Sequence, residues 1–227
     1  MEEDDWEGGI NVLLEAFEVL EDQNLDNENV DEQTLSNAWN IAGAGAKACV
    51  GNYDMYTVFR TGLITCIQDG LVHLSSQYGL MTKCLKTCRS VSNIERGAQD
   101  LLEIGAVWRL LQVVRSNAHE DTTFEALECL NNLANFPFTR SALIAEGVAQ
   151  VCETVVNEEV QNYVPIESEL LLHSLRAFSL LCKLYGKDED GSGAELIARN
   201  ISVGSILSCF LFLTTTCHSV YSGGAKN

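Results

Sequence analysis

The segment KDEDGSGAELIAR, residues 187–199, has side chains suited to binding calcium. The first half of an EF-hand loop is matched by Asp188, Asp190, Ser192 and Gly193. In the second half, Glu195 takes the place of an apolar residue and Arg199 that of the bidentate glutamate. The pattern therefore predicts an acidic surface loop and no calcium site.

Thiol and imidazole groups give no complete metal or catalytic motif. Cys84 and Cys88 are one helical turn apart and His73 is the nearest upstream imidazole, but no second pair completes a tetrahedral site. The other histidines, His119, His173 and His218, also lie apart from any serine or cysteine nucleophile motif. We therefore predict a non-enzymatic protein without metal or cofactor.

Charge limits the class of partner. The 227 residues include 32 acidic and 14 basic ones, for a formal charge of −18. Such a surface disfavours nucleic acid and anionic membranes and favours a basic peptide or the basic face of another protein. Basic residues cluster only at Lys83, Lys86, Arg89 and Arg96, where Lys86 and Arg89 can share one helical face. We interpret this cluster as a solvated face.

Two features bear on localisation. The acidic start MEEDDWE lacks the basic and apolar parts of a secretory signal. Nine cysteines, an odd number, are spread through helical segments and fall mostly at apolar positions. Free thiols behave there as small hydrophobes, which is typical of a reducing compartment. We expect a cytoplasmic or nuclear protein.

The segment Asn200–Cys217 has no charge over eighteen residues. This length is borderline for a membrane span. Seven of its residues are serine, threonine or asparagine, which favours a buried helix or one covered by a further repeat. A membrane anchor is the alternative.

The elements that position these residues are predicted to be helical throughout. Apolar residues recur at helical spacing, and only two prolines are present. A glycine followed by an apolar run recurs four times, at Gly62, Gly105, Gly147 and Gly204, with separations of 43, 42 and 57 residues. A longer helix is predicted before each glycine, at Asp31–Cys49, Gly79–Ile94, Thr122–Asn135 and Ile166–Tyr185.

Within those longer helices the strings TLSNAWNIA, TCRSVSNIE, ALECLNNLA and SLRAFSLLC align. Their second, fifth and eighth places are apolar in each copy, which is helical spacing along one face. This self-similarity resembles armadillo repeats, whose period is about forty residues. The string Asn132-Leu133-Ala134, followed by Arg140, Ile144, Glu146 and Gly147-Val148, carries the resemblance best.

The resemblance implies an all-α, right-handed solenoid of about four repeats in a single domain, 1–227. Each repeat would have two short helices joined at a corner glycine and a long third helix. The helix with Ile10, Leu13, Leu14, Phe17 and Leu20 on one stripe would be the N-terminal cap. The chain stops in the helix after Gly204, so we expect a fragment of a longer solenoid or a partner at this end.

The resemblance also implies a site on a concave surface of third helices. Asn40, Asn93 and Asn132 would grip the backbone of a partner segment, and Arg89, Glu128 and Arg176 would select its side chains. Helix-end asparagines can instead satisfy nearby carbonyls. No tryptophan stands four residues before these asparagines, which departs from the pattern of nuclear-import adaptors in the family.

We therefore predict a protein-binding scaffold or adaptor that holds a peptide segment or a helix of another protein. One alternative is a regulatory or exchange factor, or a chaperone cofactor, that acts on a folded client. The second alternative is a membrane-tethered scaffold that the segment Asn200–Cys217 anchors. The functional class rests on analogy at the level of the fold.

Overall fold

The computed structural model describes residues 3–21, 31–161 and 170–185, and the regular structure in these ranges is helical without a strand. In chain order the helices are α1 (Glu3–Glu21), α2 (Glu32–Cys49), α3 (Tyr53–His73), α4 (Tyr78–Ser92), α5 (Glu95–Glu103), α6 (Ala106–Ser116), α7 (Glu120–Leu133), α8 (Pro137–Ala145), α9 (Val148–Gln161) and α10 (Leu170–Tyr185). The predicted all-α class is confirmed.

The chain divides into two compact units, Met1–Ala142 and Leu143–Asn227. In the first unit, α1 packs on α2 and α3, and α3 packs on α4, α5 and α6. In the second, α10 packs on α9 around buried residues that include Cys152, Val156, Ala177 and Leu181. The single repeat domain over 1–227 stays a prediction.

Three long helices of the first unit, α2, α4 and α7, pack side by side in that order. Lys83 contacts Asn40, and four residues later on α4 Thr87 lies against Gly43. Between α4 and α7, Cys129 contacts Leu85, and three residues later on α7 Asn132 contacts Arg89. Neighbouring helices in this row are therefore parallel, as third helices of successive repeats must be.

The ends of the helices follow local capping chemistry. Asp31 caps α2 by accepting from the backbone nitrogen of Thr34 at 3.0 Å, and Asn52 caps α3 by accepting from that of Met55 at 3.1 Å. Pro137 begins α8, where its missing N–H costs no helical hydrogen bond. Three of the predicted long helices are found within two residues of their expected bounds, as α2, α4 and α7. The fourth is found as α10, and its expected first residues, 166–169, lie outside the described residues.

Two of the predicted corner glycines adopt the expected backbone conformation. Gly105, between α5 and α6, has φ 69°, and Gly147, between α8 and α9, has φ 84°. A positive φ of this size is strained for other residues, so glycine is required at these corners. The glycine frame is confirmed at these two positions.

Gly62 was wrongly predicted to be a corner. It lies inside α3, which runs without a break from Tyr53 to His73. A Cβ atom at this position would overlap the ring of Phe17 in α1. Gly62 therefore allows close approach of two helices and makes no turn.

The predicted apolar faces are largely confirmed. The six residues expected on the second and third of these faces are all buried, although Ile94 follows the end of α4: Cys88, Val91, Ile94, Leu127, Leu130 and Leu133. On α1, Leu13, Phe17 and Leu20 are buried, but Leu14 is 47% exposed. The stripe on α1 is therefore narrower than the sequence predicted.

A buried carboxylate joins α5 to α3. Asp100 is 2% exposed and accepts two hydrogen bonds of 2.6 Å from Arg60 and one of 2.8 Å from the hydroxyl of Tyr56. Arg96 approaches the same carboxylate at 3.3 Å. Burial, and then the bond to Asp100, raises the pKa of Tyr56 well above its usual value. The tyrosine therefore stays a hydrogen-bond donor at physiological pH.

Several predicted features lie outside the described residues. These are the acidic loop at residues 187–199, the glycine frame at Gly204 and the apolar segment Asn200–Cys217. Across the ranges that are described, no helix is both long and apolar enough to cross a membrane.

Candidate functional site on the third helices

The side of α2, α4 and α7 turned away from the core forms a polar surface, which we call the third-helix face. Its members are at least partly exposed and recur at helical spacing: Asn37 and Asn40 on α2; Lys83, Lys86 and Arg89 on α4; Asp121, Glu128 and Asn132 on α7. The opposite sides of the same helices are buried and mostly apolar. Amphipathic patterning therefore creates the face.

Contacts between neighbouring helices hold several of these side chains in place. The ammonium of Lys83 donates to Oδ1 of Asn40 at 2.6 Å, which links α4 to α2. Nη1 of Arg89 lies 3.0 Å from Oε2 of Glu125, which links α4 to α7. These side chains are therefore ordered before a partner binds.

Charge is segregated by helix across the face. The charged residues of α4 are three basic ones, Lys83, Lys86 and Arg89. Those of α7 are four acidic ones, Glu120, Asp121, Glu125 and Glu128. Between its end residues Glu32 and Lys47, α2 carries no charge. Across the face, an uncharged row on α2 is therefore followed by a basic row on α4 and an acidic row on α7.

Glu125 lies beneath the face and is only 5% exposed. Burial raises the pKa of its carboxyl above the ordinary value of 4.5, although Arg89 and Lys86 act in the opposite direction. Its Oε2 is close to Arg89 but lacks the alignment of a hydrogen bond. The ion pair therefore offsets only part of the cost of burying the charge.

The three asparagines of the predicted site lie at different levels of their helices. Asn40 is in the middle of α2, Asn93 is the C-cap of α4, and Asn132 is the next-to-last residue of α7. The reason is that the mostly small residues at 42–48 continue α2 for about two more turns, whereas the other two strings end their helices. An aligned ladder of asparagines is therefore not present.

All three amides are bonded within the first unit, and those of Asn93 and Asn132 donate to backbone carbonyls. Nδ2 of Asn132 donates to the carbonyl of Arg89 and to the hydroxyl of Ser92, both at 3.2 Å. Nδ2 of Asn93 donates to the carbonyl of Arg89 at 3.0 Å. These bonds match the alternative in which helix-end asparagines satisfy carbonyls. The partner-binding role of the asparagines stays a prediction.

The predicted side-chain selectors fall in both units. Arg89 and Glu128 are half-buried on the third-helix face of the first unit. Arg176 is exposed on α10 of the second. The structure thus brings Asn40, Arg89, Glu128 and Asn132 onto one surface and leaves Asn93 at its edge.

Sequence reasoning did not identify an open cavity of about 510 Å³ in the first unit. It is lined by Tyr53, Ile94, Glu95, Arg96, Gln99 and Phe138. The rings of Tyr53 and Phe138 are 64% and 45% exposed, while Arg96 is bonded to Gln99 at 2.8 Å. The N-terminal parts of three helices, α3, α5 and α8, supply these residues, so no local motif reveals the cavity.

Cysteine and histidine positions do not form a metal site in the described ranges, where no group of three or more potential ligands is found. Cys84 and Cys88 are buried in the core, whereas His73 is exposed at the end of α3. Burial raises the pKa of the Cys66 thiol to about 12, so this group stays protonated and unreactive.

Comparison with known proteins shows similarity in fold. No family model matches the sequence, and no curated protein matches it. An engineered protein solved by the Northeast Structural Genomics Consortium has a TM-score of 0.60 at 14% identity, over 82% of this chain and 69% of that one. A designed armadillo repeat protein in complex with the peptide (KR)4 has a TM-score of 0.58 at 13% identity, over 88% of this chain and 79% of that one. The chain therefore has an armadillo-like helical repeat fold.

Proposed function

We propose that the chain is a non-enzymatic scaffold whose third-helix face binds an extended segment of another protein. The observation that carries the proposal is the polar surface across three parallel helices, with side chains held by contacts between helices. Pre-ordered side chains lose less conformational entropy on binding, which favours such a surface over a set of mobile ones.

The amides on the face suit a peptide backbone. Asn40 accepts from Lys83 through Oδ1, and its nitrogen supplies donors for a partner carbonyl. Asn132 donates through Nδ2, and its Oδ1 supplies an acceptor for a partner N–H. An extended segment offers both groups in alternation, so these two residues support binding that is independent of the partner's sequence.

Two further findings support the proposal. A designed protein of similar fold was solved with a bound peptide, so the fold suits this use. The described cysteines are free thiols, which fits a reducing compartment such as the cytosol or nucleus.

Selection from a displayed library of random twelve-residue peptides on the full chain tests the proposal. The binders are then measured on an Asn40→Ala/Lys86→Ala variant and on a control, Gln112→Ala/Arg115→Ala, whose sites are equally exposed on α6. We expect the first variant to weaken binding about fivefold or more, because two polar contacts are lost, and the control to bind like the parent.

Equal binding by both variants would contradict the proposal and direct attention to other surfaces. Melting temperatures of both variants should equal that of the parent, because the substituted side chains are exposed. This control separates loss of the site from loss of the fold.

A further inference from the structure

We propose that the bound segment carries an acidic side chain, aspartate or glutamate, whose carboxylate lies between the ammonium groups of Lys83 and Lys86 on α4. This inference rests on the proposed function and specifies the partner. It follows from the hydrogen-bonding groups that α2 and α4 leave open at this place on the third-helix face. The formal charge of the whole chain would instead suggest a basic partner.

The two lysines lie on the same side of α4. Because they are three residues apart in one helix, their side chains are neighbours. Lys83 is partly exposed and Lys86 is exposed. Like charges at such close spacing on a helix repel each other. An anion between the two ammonium groups would offset this repulsion, and a carboxylate has two oxygens, one for each lysine.

The groups that remain open at this place are hydrogen-bond donors. An ammonium group can only donate, so the atom of Asn40 that lies 2.6 Å from Nζ of Lys83 is its oxygen. Nδ2 of Asn40 is therefore left for the segment, and Lys83 keeps two of its three N–H groups. About one turn earlier on α2, Oδ1 of Asn37 accepts from Gln33 at 3.0 Å, so this amide oxygen is occupied as well. Such a surface matches a group that only accepts hydrogen bonds, as an ionised carboxylate does.

The acidic groups of the neighbouring helices do not neutralise the two lysines. The interior of α2 carries no charge. On α7, Glu125 is buried beneath the face, where Arg89 acts on it more strongly than Lys86 does. Glu128 already interacts within the chain, and the side chain of Lys86 forms no ion pair in the ranges that the structure describes. Lys83 and Lys86 therefore retain charge for a partner.

A segment without this carboxylate suits the place less well. A basic side chain there would meet two ammonium groups, and like charges at a contact are a common device for rejecting wrong partners. Acidic residues elsewhere in the chain act only weakly beyond about 8 Å at physiological salt, because dissolved ions screen them. The pair of lysines therefore decides the preference at this place.

Selection of twelve-residue peptides on the parent chain and on Lys83→Gln/Lys86→Gln tests the inference. Glutamine is uncharged, and at position 83 its amide can still donate to Asn40. We expect parent binders to share one aspartate or glutamate, and binders of the double variant to lack this preference. Arg115→Gln, which removes a charge from an exposed site on α6, should select the same peptides as the parent.

The result is made quantitative with one enriched peptide and its counterpart in which the shared acid is changed to the amide. The parent chain should bind the acidic peptide about fivefold more tightly, and Lys83→Gln/Lys86→Gln should bind both peptides about equally. Equal binding by the parent chain, or the same preference in the double variant, would overturn the inference. If peptides without a shared acid were weakened by Asn40→Ala, the inference would fall and the proposed function would stand. If Asn40→Ala weakened no binder, both would fall.

Discussion

Glu125 shows that burying a carboxylate can lower the stability of the fold even when an opposite charge lies nearby. Its carboxylate faces Arg89 at 3.0 Å, but burial outweighs this attraction in setting the pKa. The folded chain therefore takes up a proton at Glu125 at higher pH than the unfolded chain does. This residue contributes stability at acidic pH that is lost as pH rises through its folded pKa, above 4.5.

The change Glu125→Gln should leave the chain equally stable or up to about 1 kcal/mol more stable at pH 7. Glutamine has a similar shape and needs no buried charge, and Arg89 is exposed enough to be solvated alone. As pH falls through the folded pKa of Glu125, which lies above 4.5, the difference between parent and variant should shrink, because protonated glutamate resembles glutamine. Urea unfolding at several pH values measures both quantities.

The exposed neighbour Asp121 provides the control, since Asp121→Asn should change the free energy of unfolding by less than about 0.5 kcal/mol. A loss of more than about 2 kcal/mol in Glu125→Gln at pH 7 would show that the ion pair is net stabilising, contrary to this account.

At the scale of elements, glycines serve two different purposes in the same repeat frame. Gly105 is needed for its backbone conformation, and a Cβ atom there would meet nothing within 4 Å. Gly62 is helical and is needed because a side chain would overlap Phe17. Sequence spacing alone cannot separate these purposes, since both glycines precede an apolar run.

Both Gly62→Ala and Gly105→Ala should lower the free energy of unfolding by about 1–2 kcal/mol, for different reasons. At Gly105 the cost is the left-handed conformation of alanine. At Gly62 the cost is overpacking against α1, partly offset by the better helix propensity of alanine. Urea unfolding of each variant gives these values.

A double-mutant cycle separates the reasons. In a Phe17→Ala background, Gly62→Ala should no longer destabilise the chain, because the Cγ, Cδ2 and Cε2 atoms that it would overlap are gone, whereas Gly105→Ala should cost the same as before. If Gly62→Ala lowered the free energy of unfolding by the same amount in that background, Gly62 would not be needed for the close approach of α1 and α3.

The local sequence pattern predicted the presence of the helices well, but it predicted less well where each helix ends relative to its asparagine. Apolar spacing identified α4 and α7 and their buried faces, because burial depends on periodicity. The asparagine strings looked equivalent, but α2 continues beyond Asn40 through residues of small side chain. Where a helix ends depends on its caps and on tertiary packing, which a short shared string does not encode.

At the scale of the whole molecule, net charge conceals how the charges are arranged on the third-helix face. The formal charge of −18 predicts a basic partner, yet the third-helix face alternates in sign from α4 to α7. Summing charge helix by helix would have revealed this segregation from the sequence. The contacts Lys83–Asn40 and Arg89–Glu125 could not be predicted, because they depend on how parallel helices are staggered.

The central claim is that the third-helix face binds an extended segment. Its most direct test is backbone chemical-shift mapping of the 15N-labelled full chain with one library-derived peptide. We expect the largest shifts at residues 37–44, 83–90 and 124–132, on three neighbouring helices. Shifts confined to the outer surfaces of α3 and α6 would contradict the account.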